Sequence, residues 1–453
     1  MDMKTLAERV AARVPAYGRF LAEQGASTAD SWLNLPLTNK VNYLLKHPLP
    51  DLCWDGSLHD CHLIGSSSGF SKTGSVYWPK RPEDESNYLA LVEQTMIQCH
   101  GIDQRKTLIF ICLAFGTWIG GMQLASVMRT LAASGRHPLT VATPGLNLSE
   151  AVEIYQQFGS RYDQVLWITN PSNASIIISL LAELKNPPPP ASLYFPVVGE
   201  YFTETFREDV AKRTQHPTTE PFVLWTGYGS ADTGDLGMET RETIQLRKFF
   251  HHHPKMSQQF FGHGNTPMLL APSAKSYLEV VDGNLVVTKD QLVPLVRYDT
   301  KDSGGLLQTA DLTDCSLPEG LLESLPETLL FIRGRVSDAV VFYGTNLMMG
   351  DLADFFLQLP KHFCYGGFFK VKPDQSRGFA VFHFTVYITG QATQSLEEQY
   401  TESLITFLQN ESLEFKTKYE VLCRSVQRPL ISVELNEKKP AQGMIKHKYI
   451  IEE

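Results

Sequence analysis

The densest run of side chains fit for chemistry is "LIGSSSGFSKTGSVYWP", Leu63 to Pro79. Ser66, Ser67, Ser68, Ser71 and Thr73 are interleaved there with Gly65, Gly69 and Gly74 around one cation, Lys72. Four readings compete. Gly65-Ser66-Ser67-Ser68-Gly69 matches G-x-S-x-G, but a nucleophile elbow needs a helix straight after the serine, and "SVYWP" reads as a strand. Gly69 and Gly74 have Walker A spacing, yet Ser75-Val76 stand where Lys-Ser/Thr must be. A plain hairpin turn uses Gly and Ser for conformational reasons alone. Finally, backbone N–H groups freed by glycine, with hydroxyls beside them, can wrap polyphosphate oxygens.

The elements that must hold such a loop alternate between helix and strand from about residue 84 to 230. "DESNYLALVEQTMIQCHG" has helical periodicity and ends at Gly101. "TLIFICLAF" is a short apolar run, a buried-strand signal. "NLSEAVEIYQQFG" opens on a capping pattern with Asn147 or Ser149 before the acids. Further strand-like runs, "YDQVLWIT", "SLYFPVV" and "FVLWTGYG", are separated by helical segments, which predicts parallel βαβ units. "KSYLEVVDGNLVVTKD" then alternates around Asp282-Gly283, a hairpin signal. From about residue 334 the pattern is that of a separate, small α+β unit: "GGFFKVKP" and "FAVFHFTVYITG" read as strands, and "SLEEQYTESLITFLQN" as an amphipathic helix. "KYEVLCRSV" and "KHKYIIEE" read as further strands.

The chain has 453 residues, enough for two or three domains. A net charge of −9 and the lack of a basic run argue against a nucleic-acid partner. Seven cysteines form no CxxC pair, which points to a reducing compartment. No signal pattern and no apolar run of membrane-spanning length is seen, so the expectation is a cytoplasmic protein with no membrane partner.

"SSSGFSKTGSVYWP" resembles the serine/glycine-rich phosphate loop of the adenylate-forming superfamily, and is most similar to the phenylacetate–CoA ligase-like branch. Other segments follow in that family's order. "FGTWIGG" resembles the helix start beside the acyl pocket, and "VVGEYFTETFRE" the stretch along the adenine. "GYGSADTGDLG" resembles the Tyr-Gly-x-Thr-Glu motif, "VPLVRYDTKD" the Arg-Tyr-x-Thr-Gly-Asp motif, and "IRGRVSDAVVFYGTNL" the hinge. The resemblance covers residues from about 60 to 453. It implies a large N-terminal α/β domain with parallel sheets and helices, residues 1–333, and a small mobile α+β domain, residues 334–453.

The implied activity is ATP-dependent conversion of a carboxylic acid to an acyl-adenylate with release of pyrophosphate, then transfer to an acceptor. The acid is expected to be aromatic or otherwise apolar. Coenzyme A is the default acceptor, and an amine or a carrier-protein thiol is the alternative. A catalytically decayed nucleotide-binding protein is the rival from another class, and a homodimer is left open. By resemblance, Ser66, Ser67, Ser68, Gly69 and Ser71 would cradle phosphates, and Gly199, Glu200 and Tyr201 would line the adenine. Tyr228, Gly229 and Ser230 would lie against the adenylate, with Asp232 at Mg2+. Asp302 would take the ribose hydroxyls and Arg335 would reach nucleotide oxygens. Phe115, Trp118, Gly120, Gly121 and Tyr228 would face the acid. Lys446 would be the C-terminal catalytic lysine, with Lys448 as its alternative.

The residues also have plainer readings. Asp232 suits a helix N-cap, Arg335 a surface arginine, Phe115 and Trp118 simple core, and the two lysines a solvated edge strand. The sequence departs from the family pattern at Lys72, Asp232, Lys301, Ser337 and Met444. His251 to His253 and His263 lie where some relatives have a Cys/His cluster; without a cysteine, no structural zinc is expected.

Overall fold

The computed structural model describes residues 3–66, 76–117, 119–184, 192–262, 266–335, 339–342, 345–374, 381–411, 416, 419, 430–437 and 450. Among these, an eleven-stranded sheet forms the centre. Across it the strands run Tyr277–Val281, Asn284–Lys289, Leu295–Gln308, Thr328–Arg335, Met268–Pro272, Gly234–Met238, Leu224–Ser230, Ser192–Val197, Gln164–Ile168, Thr107–Ile111 and Leu139–Ala142. The last five named pair in parallel and the rest are antiparallel.

The parallel half follows from composition. Every residue of Thr107–Ile111 and Gln164–Ile168 is buried, as expected where helices cover both faces and the strands are continuously apolar. The helices between them start where the caps are: Asn147 accepts from the Glu150 N–H, Asn170 from Asn173, and Thr203 from Phe206. In the antiparallel half, Asp282 and Gly283 both have positive φ, 51° and 77°, and Val281 faces Asn284, so the expected two-residue hairpin is present. The N-terminal helices Met3–Arg13 and Pro15–Glu23 pack with Tyr43 against Leu292, Leu295 and Val296.

A buried ionic quartet ties the segment after Val197 to two helices. Arg207 bonds Glu204 at 2.9 Å and Glu239 at 2.5 Å, and Arg247 bonds Glu239 at 3.1 Å and Glu204 at 3.3 Å. Arg207 also donates to the Leu224 carbonyl and Arg247 to the Phe202 carbonyl, so the guanidinium forks are matched rather than merely neutralised.

A separate three-stranded sheet lies near the C-terminus: Tyr365–Asp374 pairs antiparallel with Val381–Ile388, which pairs parallel with Ile431–Asn436. Helices Met349–Gln358 and Gln394–Glu411 supply Phe356, Tyr400 and Leu404 to a core shared with Phe369 and Phe384. This unit docks on the large one. Phe368 enters the large unit's core, Gly367 sits against Ser175, Gly350 against Tyr201, and the Thr203 hydroxyl donates to Asp354. The strand Ile431–Asn436 was not expected, and most of the segment expected as the strand "KYEVLCRSV" lies outside the described residues. Of "KHKYIIEE" only Ile450 is described, bridging to Val371. No helix of the described residues is long and apolar enough to cross a membrane.

Candidate active site

A cavity of about 1460 Å³ opens where the parallel strands end. Leu113, Asn170, Gly199, Glu200 and Ser230 follow or close successive strands, and all line it. The carboxyl ends of parallel strands are where such sheets bind ligands, because the loops there diverge and leave backbone groups facing the crevice. The volume exceeds that of most single-ligand pockets and has room for a nucleotide with a second molecule.

Two tyrosine–aspartate pairs set its polar end. The Tyr228 hydroxyl donates to Asp302 Oδ2 at 2.6 Å, and the Tyr298 hydroxyl donates to Asp232 Oδ2 at 2.6 Å. Asp302 is 7% exposed and faces Arg335 across the strand pair. Asp232 lies in the turn between Leu224–Ser230 and Gly234–Met238, where Gln291 Nε2 donates to its carbonyl at 2.7 Å and the Ser230 and Thr233 hydroxyls meet at 3.0 Å. It does not cap a helix. Gly229 is required in this hairpin, since a Cβ there would lie 2.3 Å from the Gly234 carbonyl oxygen.

Lys301 adopts the left-handed backbone that glycine takes most easily, with a φ of 63°. Asp299 holds this left-handed residue by accepting from its N–H at 2.9 Å and pairing with its ammonium at 2.5 Å.

The other end is apolar. Leu91, Met96, Leu113, Leu124, Trp225 and Met238 line it, from helices Pro82–His100 and Ile119–Ala133 and the sheet between. Trp225 is held by its indole N–H, which donates to His100 Nε2 at 2.9 Å. Burial pushes the His100 pKa down to about 3, which keeps that imidazole neutral and able to accept.

Of the expected site residues, Ser66, Gly120, Gly121, Gly199, Glu200, Tyr228, Gly229, Ser230, Asp232 and Asp302 line this one cavity. Ser66 anchors the base of its loop, its N–H donating to the Thr117 carbonyl at 2.7 Å and its hydroxyl meeting that of Thr117 at 2.9 Å. Two expected residues face elsewhere. Phe115 packs against Gly145 and lines a different hollow with Met122, Ser126 and Arg129. Tyr201 donates to the Thr266 carbonyl at 2.9 Å with its ring under Gly350, so it braces the docked C-terminal unit instead of lining the cavity. Ser67, Ser68, Gly69, Ser71, Trp118, Lys446 and Lys448 lie outside the described residues, and Arg335 is described only by its backbone.

The sequence reading missed Asn170, Lys80 and Lys289, all on the cavity wall. Asn170 carried a signal, since Asn before Pro171 is a helix-cap pattern. Lys80 and Lys289 carried none, because a lysine at a strand end ordinarily points to solvent. Burial lowers the pKa of Lys80 and pushes that of Lys289 down to about 8, while it raises that of Asp235 beside Lys289.

Neither a protein-family model nor a curated protein matches this sequence. Solved structures do match in fold. A 2-hydroxyisobutyryl-CoA ligase in the postadenylation state, in complex with R3-HIB-AMP, superposes with a TM-score of 0.66 at 14% identity, covering 100% of this chain and 88% of that one. The same ligase with 2-HIB-AMP and CoA in the thioesterification state gives 0.53 at 14% identity, with 99% and 87% covered. An acyl acid amido synthetase in complex with 2,4-DB gives 0.59 at 12% identity, with 96% and 85% covered. The chain therefore has the adenylate-forming fold.

Proposed function

We propose that this protein activates a carboxylic acid with ATP and passes the acyl group to an acceptor, coenzyme A in the first instance. The observation that carries this reading is the single cavity, in an adenylate-forming fold, that joins a Tyr228–Asp302 and Tyr298–Asp232 polar end to an apolar end. A carboxylate oxygen attacks the α-phosphorus of ATP, the bond from that phosphorus to the bridging oxygen breaks, and pyrophosphate leaves. A thiolate then attacks the acyl carbon and AMP leaves.

Asp302, oriented by Tyr228, accepts from the ribose hydroxyls. Gly199 and Glu200 line the adenine, and Tyr228 to Ser230 flank the α-phosphate and the reacting carboxylate. The loop from Ser66 through Ser67, Ser68, Gly69 and Ser71 cradles the outer phosphates. Among the described residues no group of three or more His, Cys, Asp or Glu side chains could hold a metal. Asp232 on the cavity wall still fits Mg2+, which commonly takes one or two carboxylates and completes its shell with phosphate oxygens and water. Mg2+ bound there neutralises phosphate charge.

Residues 334–453 act as the mobile unit, carrying Arg335 at the junction and Lys446 to the reacting carboxylate. The phenylacetate–CoA ligase-like branch is the finer assignment, and the cytoplasm the compartment. An amine acceptor is the second reading, favoured by the likeness to the amido synthetase at TM-score 0.59. Pyrophosphate release measured over a panel of acids, with and without coenzyme A or amines, tests both. Release that requires an acid and product that requires coenzyme A supports the first reading. Release coupled to amide formation supports the second, and no release with any acid overturns both.

A further inference from the structure

Lys80 closes the strand Tyr77–Lys80, opposite Leu63, two residues before the helix Pro82–His100 begins. It is 7% exposed and lines the cavity. Among the described residues its ammonium has no hydrogen bond and no ion pair. Asp84, Glu85 and Asp232 attract it only from beyond contact. Each of these acids is engaged by another group: Asp84 by Arg81, Glu85 by Gln123, and Asp232 by Tyr298.

Lys289 lines the same cavity from the strand Asn284–Lys289 and donates to the Thr233 and Asp235 carbonyls at 2.7 and 2.9 Å. Burial and the nearby Lys80 charge both work against its ammonium, with Asp235 partly offsetting them. A buried cation without a contacting anion weakens a fold, so its retention needs a reason outside the folded chain.

We propose that Lys80 and Lys289 form an anion subsite beside the acyl pocket, and that the acid this protein takes carries a second anionic group, a carboxylate, on an apolar body. This rests on the adenylation reading. There the carboxylate that reacts must lie by the α-phosphate, against Tyr228 to Ser230. The lysines come from other strands, and the apolar wall of Leu91 and Met96 belongs to the helix that begins beside Lys80. An acid of this class places its reacting carboxylate at the nucleotide and its second carboxylate at the lysines. The same ammonium groups would also suit the outer phosphates of ATP, and the test separates the two sources.

The full-length protein, Lys80→Met and Lys289→Met are titrated calorimetrically with matched acids, benzoate against terephthalate and hexanoate against adipate, and separately with ATP. Pyrophosphate release is read on the same panel. The wild-type protein should bind at least one diacid about 30-fold or more tightly than its monoacid partner, as for a buried charge pair. Lys80→Met should lose that preference and keep its ATP affinity within about twofold, with Lys289→Met losing part of it. Weaker ATP binding in Lys80→Met with an unchanged acid preference makes the lysines a phosphate subsite and overturns the proposal, as does a wild-type protein that prefers no diacid. A melting temperature of Lys80→Met at or above wild type shows that lost binding is not lost folding. Lys80-dependent diacid binding without pyrophosphate release would sink the adenylation reading and leave the subsite standing. Release without diacid preference would do the reverse.

Discussion

Two buried groups of charge in this protein are opposites. In the quartet of Glu204, Arg207, Glu239 and Arg247, every charge meets an opposite charge between 2.5 and 3.3 Å, and the guanidinium groups also reach backbone carbonyls. At the cavity wall, among the described residues, Lys80 meets none and Lys289 meets only carbonyls. The first group is complete without a ligand and fixes the segment that carries Gly199 and Glu200. The second is incomplete without one. Burial alone does not separate structural from functional charge; the partner count does.

Substitution within the quartet should have the largest effect. Arg247→Met leaves Glu204 and Glu239 buried with one guanidinium between them, and should cost about 3 to 5 kcal/mol of stability. Urea denaturation reads this as a lower midpoint at unchanged slope. A loss under about 1 kcal/mol would erase the contrast. Asp302→Ala comes next. Loss of two charge-assisted hydrogen bonds to ribose should weaken ATP by about 2 to 4 kcal/mol, with little change in melting temperature. Calorimetry showing unchanged ATP affinity would remove Asp302 from the nucleotide site.

Lys80→Met should move stability the other way. Relief of an unpaired buried cation should stabilise the apo protein by on the order of 1 to 3 kcal/mol. A destabilised variant would mean that Lys80 is a structural residue like the quartet.

The smallest effect is a pH dependence at the docked C-terminal unit. Burial raises the Asp354 pKa to about 7, with Asp351 adding to the rise and the Thr203 hydroxyl and Arg247 opposing it. Undocking returns it toward the ordinary aspartate value of about 3.9. The docked state then binds the proton more tightly, so its stabilisation is complete below about pH 4 and is lost as pH rises through about 7. Hydrogen-exchange protection over residues 349–358, corrected for the base-catalysed intrinsic rate, should therefore fall between about pH 4.5 and 7 in wild type and stay level in Asp354→Asn. A wild-type profile independent of pH would contradict the assignment.

The contrast also marks what the sequence could and could not disclose. The parallel half was legible because strands covered on both faces are apolar nearly throughout, as Leu108 to Ile111 are, and because Asn147 acts through local geometry, as Asp282-Gly283 does in the antiparallel half. The polar end of the cavity was legible only through motifs that resemble those of the adenylate-forming superfamily, and Tyr228, Asp232 and Asp302, named from them, line one cavity. The strand Ile431–Asn436 was not legible, since its parallel pairing with Val381–Ile388 depends on chain far away in sequence. Nor were the inward lysines. In "WPK" and "VVTK" nothing local says whether a terminal lysine meets water or a cavity, and only the assembled sheet decides it. Phe115 and Tyr201 went astray for a related reason: their neighbours Gly145, Thr266 and Gly350 are distant along the chain.

The most direct measurement of the central claim is acid-dependent exchange of pyrophosphate into ATP by the full-length protein with Mg2+, over apolar mono- and dicarboxylic acids, beside Asp302→Ala. The account predicts exchange that requires an acid and falls by about 30-fold or more in Asp302→Ala, in line with the affinity lost. Tight ATP binding with no exchange for any acid would contradict it, and would leave a nucleotide-binding protein built on a ligase fold.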